Sequence, residues 1–148
     1  MKNIVIIDGS EYSLESYNEI FRDEDVNLTK FMHPRIDEYV ELFNTNRVKP
    51  DLIIIGIVFG GSSEEGYQLL KKLQAIDNLK EIPVIVCSKL INDSSFGKQV
   101  QARCRKFNNV VAMYGKIPST PSVENSRKVF NAYKRLNYVL NQCPVTFE

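Results

Sequence analysis

Asp51-Leu-Ile-Ile-Ile-Gly-Ile-Val-Phe-Gly-Gly61 opens with an apolar run too short for a helix and too uniformly apolar for a strand with one wet face. A run of this kind belongs in a parallel sheet whose two faces are both covered by helices. Its surroundings repeat the pattern. Asn3-Ile-Val-Ile-Ile-Asp8 is a strand, followed by a helix beginning near Ser13, its expected cap, with Leu14, Tyr17, Ile20 and Phe21 on one face. Val26-Asn-Leu-Thr-Lys-Phe-Met32 makes a second strand, ahead of a helix presenting Ile36, Tyr39, Val40 and Phe43. The Asp51 run is the third strand. Its helix points Leu69, Leu70, Leu73 and Ile76 inward, and Ser62 and Glu65 have capping-box spacing at its start.

Pro83-Val-Ile-Val-Cys-Ser88 is the fourth strand, followed by a helix presenting Phe96, Val100, Cys104 and Phe107, weakened somewhat by Gly97. Asn109-Val-Val-Ala-Met-Tyr114 is the fifth. Pro121 then stands at the first position of a last helix with Val129, Tyr133, Leu136 and Leu140 inward. Five strands alternating with five helices, joined by right-handed crossovers, predict an α/β fold: a doubly wound five-stranded parallel sheet in a three-layer α/β/α arrangement. In such a sheet the ligand crevice lies at the carboxyl ends of the strands, near the switch in strand order. That selects Asp8-Gly9-Ser10, Gly56 to Ser63, Ser88-Lys89 and Tyr114-Gly115-Lys116 as the places to look for function.

Composition narrows the function classes. The chain has 148 residues, suited to one domain with a real core, and a formal charge of +1. So small a net charge gives no broad basic field for nucleic acid, and no nucleic-acid partner is expected. Cys87, Cys104 and Cys143 are odd in number and lack metal-type spacing, which reads as reduced structural thiols. The opening Met1-Lys-Asn-Ile is too soon charged for a signal peptide, and no run approaches the length of a membrane span, so a cytoplasmic, soluble chain without membrane association is expected. No histidine-paired serine or cysteine motif occurs, so the chain is read as a non-enzyme. His33, beside Pro34, reads as a cap or solvent-facing residue, and Arg127, Lys128, Lys134 and Arg135 read as a solvated basic flank of the last helix.

With the elements in this order, the chain resembles the response-regulator receiver domains of two-component systems (CheY-like, flavodoxin-like) over nearly its whole length: residues 1–141, with 142–148 as a tail. Ile4-Val-Ile-Ile-Asp8 is similar to the family's first strand, which ends in an acidic pair that helps hold magnesium. Pro50-Asp-Leu-Ile-Ile-Ile-Gly56 is similar to the third strand, which ends in the phosphate-accepting aspartate. Glu64-Glu-Gly66-Tyr-Gln-Leu-Leu70 resembles the opening of the third helix. Ile82-Pro-Val-Ile-Val-Cys-Ser88 resembles the fourth strand with its switch hydroxyl, and Lys116 takes the place of the lysine after strand five.

The departures fall on the chemistry. Gly9 stands where the second acid would be, and Gly56 where the acceptor would be. Phosphoryl transfer to a carboxylate needs that nucleophile and a divalent cation to offset phosphoryl charge. The resemblance therefore implies a degenerate pocket of Asp8, Gly9, Gly56, Ser88 and Lys116, with no catalytic residue. No cofactor is expected, and magnesium binding at Asp8 alone is expected to be weak or absent. Asp8 is read as a relic of that pocket ahead of a plain turn residue, and Ser88 equally as a switch hydroxyl or a plain strand terminus. Lys116 is followed by Ile117 before Pro118, which interrupts the family's lysine–proline pair, and Tyr114 is the candidate switch aromatic, one residue out of register with Met113 at the expected place. The implied function is a pseudo-receiver lacking the phosphoacceptor, acting in phosphorelay signalling through protein contact with a histidine kinase or downstream protein. A homodimer through helix four, strand five and helix five is also implied. Two alternatives remain: a displaced acceptor at Glu64, Glu65 or Asp51, and a small-ligand or nucleotide site in the Gly56–Ser63 loop.

Overall fold

A computed structural model describes residues 2–32, 35–56, 64–88, 91, 95–114 and 131, with only the backbone of Tyr12. The strands are β1 (Lys2–Ile7), β2 (Val26–Phe31), β3 (Leu52–Ile55), β4 (Val84–Cys87) and β5 (Val110–Tyr114). Between them run α1 (Glu11–Ile20), α2 (Ile36–Asn44), α3 (Glu65–Gln74) and α4 (Gly97–Arg105). All four strand pairings are parallel, in the order β2-β1-β3-β4-β5. The doubly wound parallel sheet expected from the apolar runs is the one observed. The expected last helix apart from Asn131, together with Gly115, Lys116, Cys143, His33 and the tail from 142 to 148, lies outside the described residues.

Alternate residues of each strand feed opposite faces, and two cores result. Val5, Ile7, Ile53, Ile55, Val84 and Val86 pack with α2, α3 and α4, while Ile4, Ile6, Leu52, Ile54, Ile85 and Cys87 pack with Leu14 and Tyr17 of α1 and with Phe21 at its C-terminal cap. That is the three-layer arrangement. Leu69, Leu70 and Leu73 are fully buried, each contributing roughly 2 kcal/mol relative to exposure. The strand bases are tied together by Asn109, whose Nδ2 donates to Ile82 O at 3.0 Å while its Oδ1 accepts from Gln74 Nε2 at 2.7 Å.

Three local expectations are corrected. Ser10, not Ser13, caps α1: Ser10 holds extended backbone and its Oγ accepts from Ser13 N at 3.3 Å, so the helix starts three residues earlier than a Ser13 cap would place it. Ser13 is instead buried in the first turn. The capping box at α3 does not form, because Glu65 is the first helical residue and the cap position is held by Glu64, whose side chain makes no capping hydrogen bond; Ser62 lies outside the described residues. A box needs its glutamate three residues past the cap. Phe96 does not point inward: it precedes α4 and is 56% exposed. Val100 and Cys104 fill that face as expected.

β5 carries an irregularity with a lasting effect. Val84 pairs with Val110 but Ile85 pairs with Ala112, so Val111 is an extra residue opposite β4. Val111 and Ala112 both pack toward α1, after which Met113 turns to the α2–α4 side and Tyr114 to the α1 side. One inserted residue reverses the face of every residue after it.

Candidate functional site at the carboxyl ends of the strands

The strand order reverses between β1 and β3, so the crevice of an open α/β sheet falls between Asp8 and Gly56. The ladder brings these two together. Gly56 N donates to Ile7 O at 2.9 Å, and Asp8 N donates to Phe31 O at 3.0 Å on the other side. Asp8 is buried, and its Oδ1 accepts from Ser10 N at 2.9 Å, closing the turn that leads into α1. The local turn role and the pocket position therefore belong to the same carboxylate. Gly9, in the middle of that turn, is exposed.

Gly56 is buried, and its φ lies outside the left-handed region. A Cβ built there would lie 3.8 Å from Asp8 Oδ2, from Cys87 O and from Ile7 O, all ordinary van der Waals distances. Neither backbone geometry nor crowding demands glycine at this strand end. The position has room for a side chain and faces a carboxylate.

Ser88 follows β4 directly and is buried; its N donates to Tyr114 O at 3.0 Å and its carbonyl accepts from Ile91 N at 3.1 Å. Tyr114 pairs with Cys87 across the ladder but packs with the α1 cluster, so the bulge has carried it away from α4, which Met113 faces instead. Lys116 and most of the Gly56–Ser63 loop lie outside the described residues.

Sequence reasoning took Tyr17 for an ordinary core residue. It is buried, and its phenol is pushed well above the usual range, first by burial and then by the Cys87 thiol and the Asp8 carboxylate. Burial, reinforced by Cys87 and Asp8, keeps the Tyr17 phenol neutral. Helical periodicity placed Tyr17 inward, but only the sheet's ends show what it reaches.

The acids considered as displaced acceptors are dispersed. Asp51 precedes β3 at the opposite end of the sheet, where its Oδ2 accepts from Asn3 N at 2.7 Å. Glu65 is buried in the first turn of α3. Glu64 is gripped by Arg103 of α4 through two hydrogen bonds of 3.1 and 2.9 Å, and the same guanidinium lies 3.6 Å from the centroid of Tyr67. Arg103 holds the Glu64 carboxyl below the usual carboxylate range. No group of three or more metal-ligating side chains forms among the described residues. Among the described residues the donor set does not fit magnesium: Asp8 offers one carboxylate with an oxygen already engaged by Ser10, and Gly9 and Gly56 offer no side chain. No described helix is long and apolar enough to cross a membrane.

No protein-family model matches the sequence, and no curated protein matches it. Solved structures do. The phosphorylated cyanobacterial phytochrome response regulator RcpA aligns with a TM-score of 0.70 at 18% identity, over 97% of this chain and 96% of its own. The Mn(2+)-bound form of response regulator Rcp1 aligns at 0.68 and 16% identity over 100% of both chains. The signal receiver domain of a signal transduction histidine kinase from Syntrophus aciditrophicus gives 0.70 and 19% identity over 97% and 96%. At such identities the likeness speaks for architecture, and it extends over the full length of both partners. The described chain has the flavodoxin-like, CheY-like fold of response-regulator receiver domains.

Proposed function

We propose that this chain is a degenerate receiver: a signalling module that works by binding protein partners and takes no phosphoryl group at the end of β3. The observation that carries the reading is the vacancy at Gly56, where a side chain would fit against Asp8 but none exists. An acyl phosphate needs a carboxylate oxygen as nucleophile, and glycine has none. With a single acid at the strand ends there is also little to hold the cation that phosphoryl transfer uses. The module has no catalytic activity and no resident cofactor in this reading. Its partners are a histidine kinase or a downstream signalling protein, or a second copy across α4, β5 and the following helix.

A displaced acceptor is disfavoured by position: Asp51 is at the wrong end of the sheet, and Glu64 is committed to Arg103. The deciding experiment is incubation with acetyl phosphate and magnesium, or with a phosphorylated histidine kinase, followed by intact-mass measurement. No acid-labile, hydroxylamine-sensitive phosphate is expected. Its appearance would overturn the proposal. A thermal-shift screen with nucleotides, flavin and phosphate tests the small-ligand alternative, since a ligand at a hundred times its Kd adds about 2.7 kcal/mol.

A further inference from the structure

The near-zero net charge conceals a strong separation of charge. Residues 11–25, α1 and the turn after it, hold Glu11, Glu15, Glu19, Asp23, Glu24 and Asp25 against the single Arg22. Glu11, Glu15, Glu19 and Arg22 are exposed and recur at helical spacing on the outward side of α1, opposite Leu14, Tyr17 and Phe21. The neighbouring strand adds one cation there, Lys30, whose Nζ donates to Asn18 Oδ1. Residues 98–106, α4 and its end, hold Lys98, Arg103, Arg105 and Lys106 and no acid. All four are exposed; Arg103 alone turns to Glu64, and Phe96 stands 56% exposed at the start of the same helix.

α1 and α4 cover opposite faces of the sheet. The acidic and basic faces of one molecule therefore cannot meet each other, but those of two molecules can. At a formal charge of +1, overall repulsion between copies is small, leaving the local complementarity to orient the encounter. We propose that the outward face of α4 docks on the outward face of α1 of a second copy, head to tail. Lys98, Arg105 and Lys106 then oppose the α1 carboxylates, with Phe96 as the apolar contact at one end. The two surfaces differ, so each docking leaves one free face of each sign and the contact can propagate. Helices of ten and nine residues, about 15 Å long, give a small contact, so the association is reversible and concentration-dependent. The inference rests on charge placement and is independent of the phosphorylation reading.

Light scattering on the full chain across a concentration series tests it. Mean mass should rise with concentration and pass that of a dimer. Association should weaken roughly tenfold or more as NaCl goes from about 0.1 M to about 1 M, the Debye length falling from about 10 Å to about 3 Å. Glu15→Lys/Glu19→Lys and Lys98→Glu/Arg105→Glu should each be monomeric alone, and an equimolar mixture of the two should associate again. Should a reversal unfold the chain by circular dichroism, Glu15→Gln/Glu19→Gln and Lys98→Gln/Arg105→Gln replace them, each expected to weaken association. A wild-type chain that stays monomeric at low salt overturns the proposal, as does association that survives high salt. Wild-type association by the α1 variant overturns it too, while leaving symmetric pairing through α4 and β5 in place.

Discussion

Replacing Gly56 with aspartate should destabilise the chain through charge, and a comparison with asparagine isolates that effect. Both side chains have similar volume, and the backbone at Gly56 lies outside the left-handed region, so neither is strained by it. A Cβ at this position is 3.8 Å from Asp8 Oδ2, which puts an introduced carboxylate about 5 Å from the existing one. At an effective dielectric of about 20 the repulsion is about 3 kcal/mol. Burial and the like charge both raise the folded-state pKa of the introduced carboxyl above its unfolded value of about 3.9. The penalty is therefore absent below that unfolded value, grows as pH rises through the raised folded value, and is complete above it. In urea denaturation near neutral pH the Asp variant should unfold about 1–2 M earlier than the Asn variant, with the two converging near pH 4. Millimolar magnesium should recover part of the loss in the Asp variant alone, since two carboxylates then share the site. Efficient phosphorylation is not expected to return, because Gly9 still offers no side chain. Equal midpoints for the Asp and Asn variants near neutral pH would refute the reasoning, for they would show that Asp8 does not face this position.

Ser10→Ala should cost about 1 kcal/mol by removing the α1 cap, read as a lower urea midpoint, and Ser13→Ala should not reproduce this loss of capping. Glu64→Gln should lower the melting temperature at neutral pH. Because Arg103 depresses the Glu64 pKa, the stabilisation is present above the ordinary carboxylate range and lost as pH falls through the lowered value, so the wild-type and variant melting curves should meet in acid. Cys104 is fully buried and its thiol is pushed up to about 11, mainly by burial, so mass-resolved labelling with a thiol reagent at mildly alkaline pH should leave it unmodified until denaturant is added.

The architecture was legible because its signals are local and repeated. Leu52 to Ile55 and Val84 to Cys87 are apolar on both faces, a pattern that only a covered parallel sheet satisfies, and the observed strands match those runs closely. Helix faces followed from spacing, as Leu69, Leu70 and Leu73 show. Helix starts were less legible, because a cap depends on where the preceding turn delivers the chain. Asp8 binding Ser10 N sets that point for α1, and no composition rule distinguishes Ser10 from Ser13 beforehand. Phe96 was assigned inward by the same spacing that placed Val100 correctly, but the helix begins one residue after it.

By itself the sequence determined the order of strands and helices, the apolar faces, and the absence of a carboxylate at residues 9 and 56, because residue identity and short-range periodicity carry that information. Only the tertiary structure decided that Gly56 is neither strained nor crowded, that Tyr17 packs with Cys87, and that the bulge at Val111 turns Tyr114 toward α1. It also set the acidic α1 and the basic α4 on opposite faces. These outcomes depend on which strands pair, in what register, and which face each crossover covers. Such relations join residues far apart in the chain, and they exist only once the sheet has formed.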